Sequence, residues 1–300
     1  MDTVTPGGEQ PFPGLGDAPV DGIVLRMLLG TQLRRLREAA GVTPERASAA
    51  IRGSRSKISR METGRVRFKA RDIADLLNLY GVTDEQVRSR FVSLAHQAGK
   101  PDWWGEYGDI LPEWFEQYLG MESAAAAIRG FDNQFVHCLF QAEDYARAVI
   151  RLGHQADADA AIEGRVAIRL KRQDLLTRPA PPTIWSVMDE SVLRRPVGGP
   201  GVMRGQLRRL LEVAAMPHVT VQVMPFARGG QAGENGSFTL LRFAERDLPD
   251  VVYIEHLTSA SYLEQRPDVE HYLGVMDRLS GHALTPTATS QLIEQAARAT

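Results

Sequence analysis

The segment Ser54–Gly64 constrains the fold of this chain more than any other part of the sequence. It predicts a short helix, because Ser54 is a good N-cap and Gly64 suits the left-handed backbone that often ends a helix. Ile58 and Met61 are three residues apart and can face a core together. The basic and hydroxyl side chains remain outside, mostly in the first turn. Such a helix is typical of proteins that read bases in the DNA major groove, although a solvated basic helix of any protein has the same local pattern.

The segments around this helix predict a helical domain. A first helix stops at Gly41, and a second is expected to begin at a Thr43 cap with Pro44 in its first turn, where the missing N–H costs little. Gly53 lies in the brief turn between the second helix and the basic one. The residues expected to face the core of these first two helices are Leu29, Leu33, Leu36, Ala40, Ala47, Ala50 and Ile51.

Two further helices follow the basic one. The first is predicted at about 69–80, and the second, capped by Thr83, at about 84–98. Their core-facing residues are predicted to be Ile73, Leu76, Leu77, Tyr80, Val87, Phe91 and Leu94. Five short helices with a tight turn between the second and the third predict an all-α helix-turn-helix domain over residues 23–98.

Residues 30–80 resemble the xenobiotic-response-element type of helix-turn-helix, which also occurs in phage repressors. The resemblance rests on residues 33–37, 41–43 and 58–64. It implies that the chain binds double-stranded DNA and that Arg55, Ser56 and Arg60 read bases. It also implies DNA-backbone contacts from residues in and around the second and third helices, namely Thr43, Arg46, Ser54, Lys57, Arg65, Arg67 and Lys69.

One position departs from that family pattern. Where the family usually carries a glutamine directly after the capping threonine, this chain has Pro44, which has neither an amide side chain nor an N–H. The contact that the glutamine makes to the DNA backbone is therefore absent or replaced, and Arg46 is the candidate replacement.

The distribution of charge supports a nucleic-acid face. Residues 29–71 contain 12 Lys or Arg and 3 Asp or Glu, a net charge of +9, whereas the whole chain carries −2 and the remainder therefore −11. A basic excess that coincides with a DNA-binding motif predicts phosphate contacts and binding that weakens steeply with salt.

The composition limits the class of the remaining chain. Hydrophobic residues at 43% and charged residues at 24% are typical of globular proteins. Residues 1–22, rich in Gly, Pro and Asp, predict a disordered tail and not a secretory signal. The single cysteine, Cys138, fits a reducing cytoplasm and is expected to be a buried, inert thiol in an apolar setting. No stretch is long and apolar enough to span a bilayer, so we expect a cytoplasmic protein with no membrane partner.

The second half predicts an α+β domain. Residues 99–102 form the expected linker, followed by a regulatory domain over 103–285 and a C-terminal helix over 286–300. Its helices are predicted at about 113–128, 142–152, 157–176, 189 onward, 201–215, 267–280 and 286–299, and its strands at 183–188, 219–224, 237–243 and 251–256.

Chemical motifs are scarce in this half. The seven histidines have no metal-ligand spacing, so no metal and no cofactor is expected. The glycine-rich segment 229–236 matches neither a Walker motif nor a dinucleotide-binding turn and is expected to be a hairpin loop, with phosphate binding as the alternative. Glu190, Arg194, Glu255 and Tyr262 are candidates for a polar cleft, but structural roles are the simpler expectation. We therefore expect no enzymatic activity.

The second half also resembles a family of antitoxin-like transcriptional regulators of actinomycetes, whose C-terminal domain has no known biochemistry. The resemblance rests on residues 131–147, 169–174, 188–195, 236–241 and 251–255, and it departs at 137–142, where the family usually has Pro-Gly-Leu-Leu-Gln-Thr. It implies a small toxin-like protein partner encoded nearby, as in toxin–antitoxin pairs.

Three functions are compatible with the sequence. The first is a transcriptional regulator whose C-terminal domain binds a small protein partner, or forms a homodimer, and so controls operator occupancy. The second has the same DNA-binding domain but a C-terminal domain that senses a small molecule. The third gives the C-terminal domain a nucleotide-related enzymatic activity.

Overall fold

A computed structural model describes residues 22–99, 102–108, 110–230, 233 and 236–300. The predicted tail 1–22 lies outside this range except for Gly22, and half of the predicted linker 99–102 also lies outside it. The chain divides into two compact units. The first unit ends at Gly105 and also contains Glu245–Leu248, and the second comprises Glu106–Ala244 and Pro249–Thr300.

The described part of the first unit contains five α-helices, as the sequence predicts. They are α1 (Gly22–Ala39), α2 (Pro44–Ala50), α3 (Arg55–Glu62), α4 (Ala70–Leu79) and α5 (Glu85–Gln97). Thr43 and Ser54 cap α2 and α3 as predicted. Thr83 was the wrong cap for α5. Asp84 caps it instead, because its carboxylate accepts from the backbone N–H groups of both Gln86 and Val87, whereas a hydroxyl is a weaker acceptor.

The core of this unit contains nearly all of the predicted apolar residues. Leu29, Leu33, Ile58, Met61 and Phe91 are at most 1% exposed. Ala40 was wrongly assigned to the core. The residue is exposed because α1 ends one position earlier, and Ala40 belongs to the turn that leads into the left-handed Gly41.

The second unit combines helices with one six-stranded sheet, which confirms the α+β expectation. Its strands are β1 (Ala127–Asp132), β2 (Thr183–Asp189), β3 (Val219–Met224), β4 (Phe238–Arg242), β5 (Val251–Glu255) and β6 (Ala260–Leu263). Their order is β3-β2-β1-β4-β5-β6. β1, β2 and β3 run parallel, and β4, β5 and β6 join by antiparallel pairing. Its helices are α6 (Glu113–Ala124), α7 (Glu143–Gly153), α8 (Asp159–Arg172), α9 (Ser191–Arg194), α10 (Pro200–Ala214), α11 (Arg266–His282) and α12 (Pro286–Ala299).

Two strands of this sheet were not predicted. The helix expected at 113–128 ends at Ala124, and β1 begins three residues later between β2 and β4. The alanine-rich run 124–127 favours a helix by intrinsic propensity, but pairing on both sides stabilises the extended backbone instead. β6 is only four residues long and gives little periodic signal. Among the described residues, no helix is both long and apolar enough to cross a membrane.

Gly64 allows α1 and the end of α3 to approach closely. Its φ is +69°, and a Cβ atom at this position would lie 2.6 Å from the backbone nitrogen of Met27 in α1. Gly41 has a similar φ of +63° but open space around the position of a Cβ atom. We expect Gly64→Ala to lower the free energy of unfolding by about 2–4 kcal/mol, since it adds overpacking to the cost of a left-handed residue.

Gly41→Ala is the matched control for that substitution. This substitution places a Cβ atom on a left-handed backbone but causes no clash. We therefore expect the free energy of unfolding to fall by only about 1–2 kcal/mol. Denaturant unfolding of both variants measures the difference. Equal losses for the two variants would show that the contact between Gly64 and α1 contributes nothing.

Candidate nucleic-acid interface

The turn between α2 and α3 fixes the orientation of the basic helix. Ser54 Oγ accepts a hydrogen bond from the backbone N–H of Lys57 at 3.1 Å, and Thr43 Oγ1 accepts one from Arg46 at 3.3 Å. Ile58 and Met61 anchor the inner side of α3 in the core, with 1% of each exposed. The opposite side of α3 therefore faces outward in a defined orientation.

An ion pair fixes the far end of α3. Arg37 Nε and Nη2 donate to the two carboxylate oxygens of Glu62 at 2.5 and 3.1 Å, and Arg37 Nη1 donates to the carbonyl oxygen of Val42 at 3.0 Å. Both side chains are about 10% exposed. The pair connects the end of α1 to the end of α3 and to the segment that enters α2. It therefore helps to hold α2 and α3 in a fixed relative orientation.

The three predicted base-reading residues lie together on the exposed side of α3. Arg55 and Ser56 are in its first turn, and Arg60 is four residues after Ser56 on the same helical stripe. All three are exposed. Arg60 makes no ion pair with the described carboxylates. In contrast, Arg55 Nε lies 3.3 Å from Glu45 Oε1 on α2, an acidic partner that the sequence reasoning did not identify.

The predicted DNA-backbone residues differ in their surroundings. Arg46, Arg65, Arg67 and Lys69 are exposed, as are Thr43 and Ser54, whose hydroxyls accept the capping bonds of α2 and α3. Lys57 is different, because its Nζ lies 2.5 Å from Asp72 Oδ2 and only 31% of its side chain is exposed. To contact a phosphate, Lys57 would have to give up this partner. The roles of all these residues in DNA binding remain predictions.

The contact between Glu45 and Arg55 has a testable consequence. Glu45 is an acid in the first turn of α2, beside a residue that we expect to contact bases. On DNA, Arg55 must leave this carboxylate, and the carboxylate itself is repelled by phosphates. We expect Glu45→Gln to increase DNA affinity roughly three- to tenfold at 0.1 M salt. Fluorescence anisotropy with a labelled duplex measures the DNA affinity of wild type and variant.

Glu38→Gln provides the control. Glu38 also pairs with an exposed arginine, Arg34, but this pair lies within α1. The control removes the same charge without touching Arg55, so its affinity gain should be smaller. A loss of affinity in Glu45→Gln would show that Glu45 positions Arg55 for binding and does not compete with DNA.

The second unit contains a buried ion pair between α6 and α8. Arg172 Nε donates to Glu122 Oε2 at 2.7 Å and Nη2 donates to Oε1 at 2.8 Å, with 5% and 1% of the two side chains exposed. Arg172 Nη2 also donates to the Cys138 sulfur at 2.8 Å. The expected apolar setting of Cys138 was therefore wrong. Burial nevertheless raises the pKa of Cys138 to about 11, which keeps it a thiol at neutral pH and disfavours a nucleophilic role.

Two ionisable groups nearby form no ion pair with the described residues. Oδ2 of Asp132, at the end of β1, is buried and has no hydrogen-bond partner among the described residues. Burial raises the pKa of this carboxyl to about 7. Arg169 Nη1 donates to Gln141 Oε1 at 3.0 Å, and no described carboxylate pairs with its guanidinium, whose pKa is lowered by burial.

The four candidate cleft residues of the sequence make internal contacts instead. Arg194 donates to Glu190, which also accepts from the backbone N–H of Phe226 at 3.0 Å. Tyr262 donates to the carbonyl oxygen of Trp114, and Glu255 accepts from Tyr253. In the glycine-rich segment 229–236, four residues lie outside the described structure. Within the described chain, no group of His, Cys, Asp and Glu is arranged to hold a metal ion.

Comparison with known families gives two matches. A family described as a helix-turn-helix domain matches residues 28–89. A family described as a domain of unknown function (DUF5753) matches residues 115–295. Comparisons with curated proteins and with solved structures gave no match.

The first match covers α2, the turn and α3, together with most of the core that supports them. It indicates a DNA-binding regulator of the helix-turn-helix type and supports the resemblance to the xenobiotic-response-element class. The second match covers more than half of the chain, and the chain therefore belongs to the DUF5753 family, with a helix-turn-helix domain preceding the domain that defines it.

Proposed function

We propose that this protein is a cytoplasmic, sequence-specific transcriptional regulator that places α3 in the major groove of a double-stranded operator. Arg55, Ser56 and Arg60 contact bases, and the surrounding basic and hydroxyl residues contact phosphates. The observation that carries the proposal is the two-sided character of α3. Its inner side is fixed by Ile58, Met61 and the Arg37–Glu62 pair, while its outer side presents only hydrogen-bonding side chains.

Selection from a random pool of DNA duplexes with the full chain tests this proposal. We expect enrichment of one short motif. If the protein binds as a homodimer, the motif should be two-fold symmetric, with half-sites about 34 Å apart. Affinity for the motif should fall steeply with salt. A pool that remains random after several rounds, with binding that depends only on salt, would contradict sequence-specific recognition.

The second unit, in this proposal, controls operator occupancy by binding a small protein partner, by forming a homodimer, or by both. The support is the sequence resemblance to antitoxin-like regulators of actinomycetes. The partner would be a small toxin-like protein encoded beside this chain. Co-purification of the full chain with that product, followed by light scattering, measures both partner binding and the number of copies of this chain. A monomeric chain that does not bind the product would contradict both partner binding and homodimer formation.

A second candidate function is small-molecule sensing. Asp132 and Arg169, which form no ion pair with the described residues, favour it. A ligand with a hydrogen-bond donor for Asp132 and an anionic group for Arg169 would satisfy both. Free amino acids present these groups and are suitable probes in a thermal-shift experiment with the full chain. The matched control is Asp132→Asn. A stabilisation that is equal in wild type and control would place the ligand elsewhere, and no stabilisation would remove this candidate.

We propose that the second unit acts by binding and not by catalysis. The nucleotide-related enzymatic alternative depends on the glycine-rich segment and on scattered polar residues. Glu190 and Glu255 are committed to structural hydrogen bonds, and Cys138 is a protonated thiol at neutral pH. Incubation of the full chain with nucleoside triphosphates, followed by chromatography, tests this, and turnover that co-purifies with the protein would contradict it.

A further inference from the structure

Arg52, in the turn between α2 and α3, has an unusual backbone conformation. Its φ is +52°, in the left-handed region that strongly favours glycine. Among the described residues it is the one non-glycine residue with positive φ, and the other left-handed positions, such as Gly41 and Gly64, are glycines. Any residue with a Cβ atom carries a steric cost in this conformation, because the Cβ atom lies too close to the following carbonyl oxygen.

The glycine of this turn occupies the next position. Gly53 does not have a positive φ, and a Cβ atom there would lie 3.0 Å from the Lys57 side chain and 3.3 Å from that of Ile51. The glycine is therefore placed where space is short. An arginine is left at the position where the backbone itself favours glycine.

Nothing in the described fold requires an arginine at this position. The Arg52 backbone N–H donates to the carbonyl oxygen of Ala49 at 3.1 Å, a bond that any residue except proline makes. The side chain is exposed and makes no hydrogen bond, ion pair or ring contact within the described residues. The folded protein therefore bears the cost of the left-handed arginine without a compensating contact of its own.

The position of Arg52 in the helix-turn-helix motif suggests which contact offsets the cost of its left-handed backbone. It lies two residues before the Ser54 cap and three before Arg55, the first predicted base reader. A guanidinium at this end of α3 is well suited to a phosphate of the strand that borders the groove, since it is always charged and donates in a fork. Strained residues retained at turns and binding sites are commonly functional.

We propose that Arg52 is a DNA-backbone contact that was not among the residues predicted from the sequence. This inference rests on the proposed function, because it requires α3 to bind a duplex. Arg52 contributes phosphate affinity without reading bases, and its contact with DNA offsets the left-handed backbone cost that the free protein carries.

Three substitutions of Arg52 test this inference in the full chain, with a duplex that carries the selected motif. Arg52→Gly removes the charge and the strain, Arg52→Asn removes the charge but tolerates the left-handed backbone, and Arg52→Lys keeps the charge. We expect Arg52→Gly and Arg52→Asn to bind about eightfold more weakly at 0.1 M salt, because one phosphate contact contributes a slope of about 0.9 in log K against log salt. The salt slope should fall by about one, and base preference should stay unchanged. Arg52→Lys should stay within about threefold of wild type.

Stability provides the second measurement. We expect the Tm of Arg52→Gly to equal or exceed that of wild type, so that weaker binding cannot be attributed to unfolding. Arg278→Ala, an exposed charge removed from the second unit, is the control for net charge, and its salt slope should match that of wild type. Wild-type affinity and slope in Arg52→Gly would overturn the inference. If wild type itself selects no motif, the proposed sequence specificity is wrong. The salt dependence of binding to a random duplex, compared between wild type and Arg52→Gly, still tests the phosphate contact of Arg52.

Discussion

Replacing Glu122 by glutamine is expected to lower the free energy of unfolding of the second unit by about 3–5 kcal/mol. The substitution leaves the Arg172 guanidinium buried without its counter-charge. Arg172 also contacts the rings of Phe115 and Tyr118, at 5.4 and 5.3 Å from its central carbon, and the Cys138 sulfur. None of these carries a full negative charge at neutral pH, so the loss is not recovered locally.

Two companion variants separate the buried charge from the loss of a hydrogen bond. Asp250→Asn removes one partner of the Arg242–Asp250 pair, which has similar geometry but lies at the surface, with 52% of the Arg242 side chain exposed. We expect a loss below about 1 kcal/mol there. The double variant Glu122→Leu with Arg172→Met removes both buried charges and should regain most of the stability of wild type. Urea unfolding followed by circular dichroism measures all three. A loss in Glu122→Gln as small as that in Asp250→Asn would contradict a structural role for the pair.

Removing the two arginines of α3 is expected to have the second large effect, this time on DNA binding. Arg55→Ala and Arg60→Ala should each weaken binding to the selected operator by about 1–3 kcal/mol and relax the preference at one base position. Both side chains are exposed, so neither change should alter the fold. The two effects should be nearly additive if each arginine contacts its own base. Equilibrium binding to the operator and to its single-base variants measures affinity and preference together.

The sequence predicted the first unit well because its signals are local. The Thr43 and Ser54 caps, Pro44 in the first turn of α2, Gly64 after α3 and the apolar spacing of Ile58 and Met61 each act within a few residues. The two errors, Ala40 and Thr83, both lie at helix ends, where a shift of one residue changes the assignment.

The second unit was harder to predict because its signals are not local. β1, whose first two residues fell within a predicted helix, lies in the middle of the sheet. It pairs with β2 and β4, which follow it by dozens of residues. The Glu122–Arg172 pair joins residues 50 positions apart, so no spacing in the sequence indicates it.

The candidate DNA interface also combines features that could be predicted from the sequence with features that could not. The helix that presents Arg55, Ser56 and Arg60 could be predicted from caps and periodicity, whereas the carboxylates near Arg55 and Lys57 could not. Glu45 is ten residues before Arg55, and Asp72 is 15 residues after Lys57, and only packing of the helices brings each pair together. The left-handed backbone of Arg52 could not be predicted either. Glycine favours that conformation, so the sequence would assign it to the neighbouring Gly53.

We propose that α3 reads DNA sequence through its exposed arginines. A repeat of the duplex selection with Arg55→Ala, with wild type and Glu38→Gln selected in parallel, tests this role of α3. We predict that wild type and Glu38→Gln enrich the same motif, while Arg55→Ala enriches that motif with one position made random. Enrichment of the unaltered motif by Arg55→Ala, and likewise by Arg60→Ala, at undiminished affinity would contradict the assignment of α3 as the recognition helix.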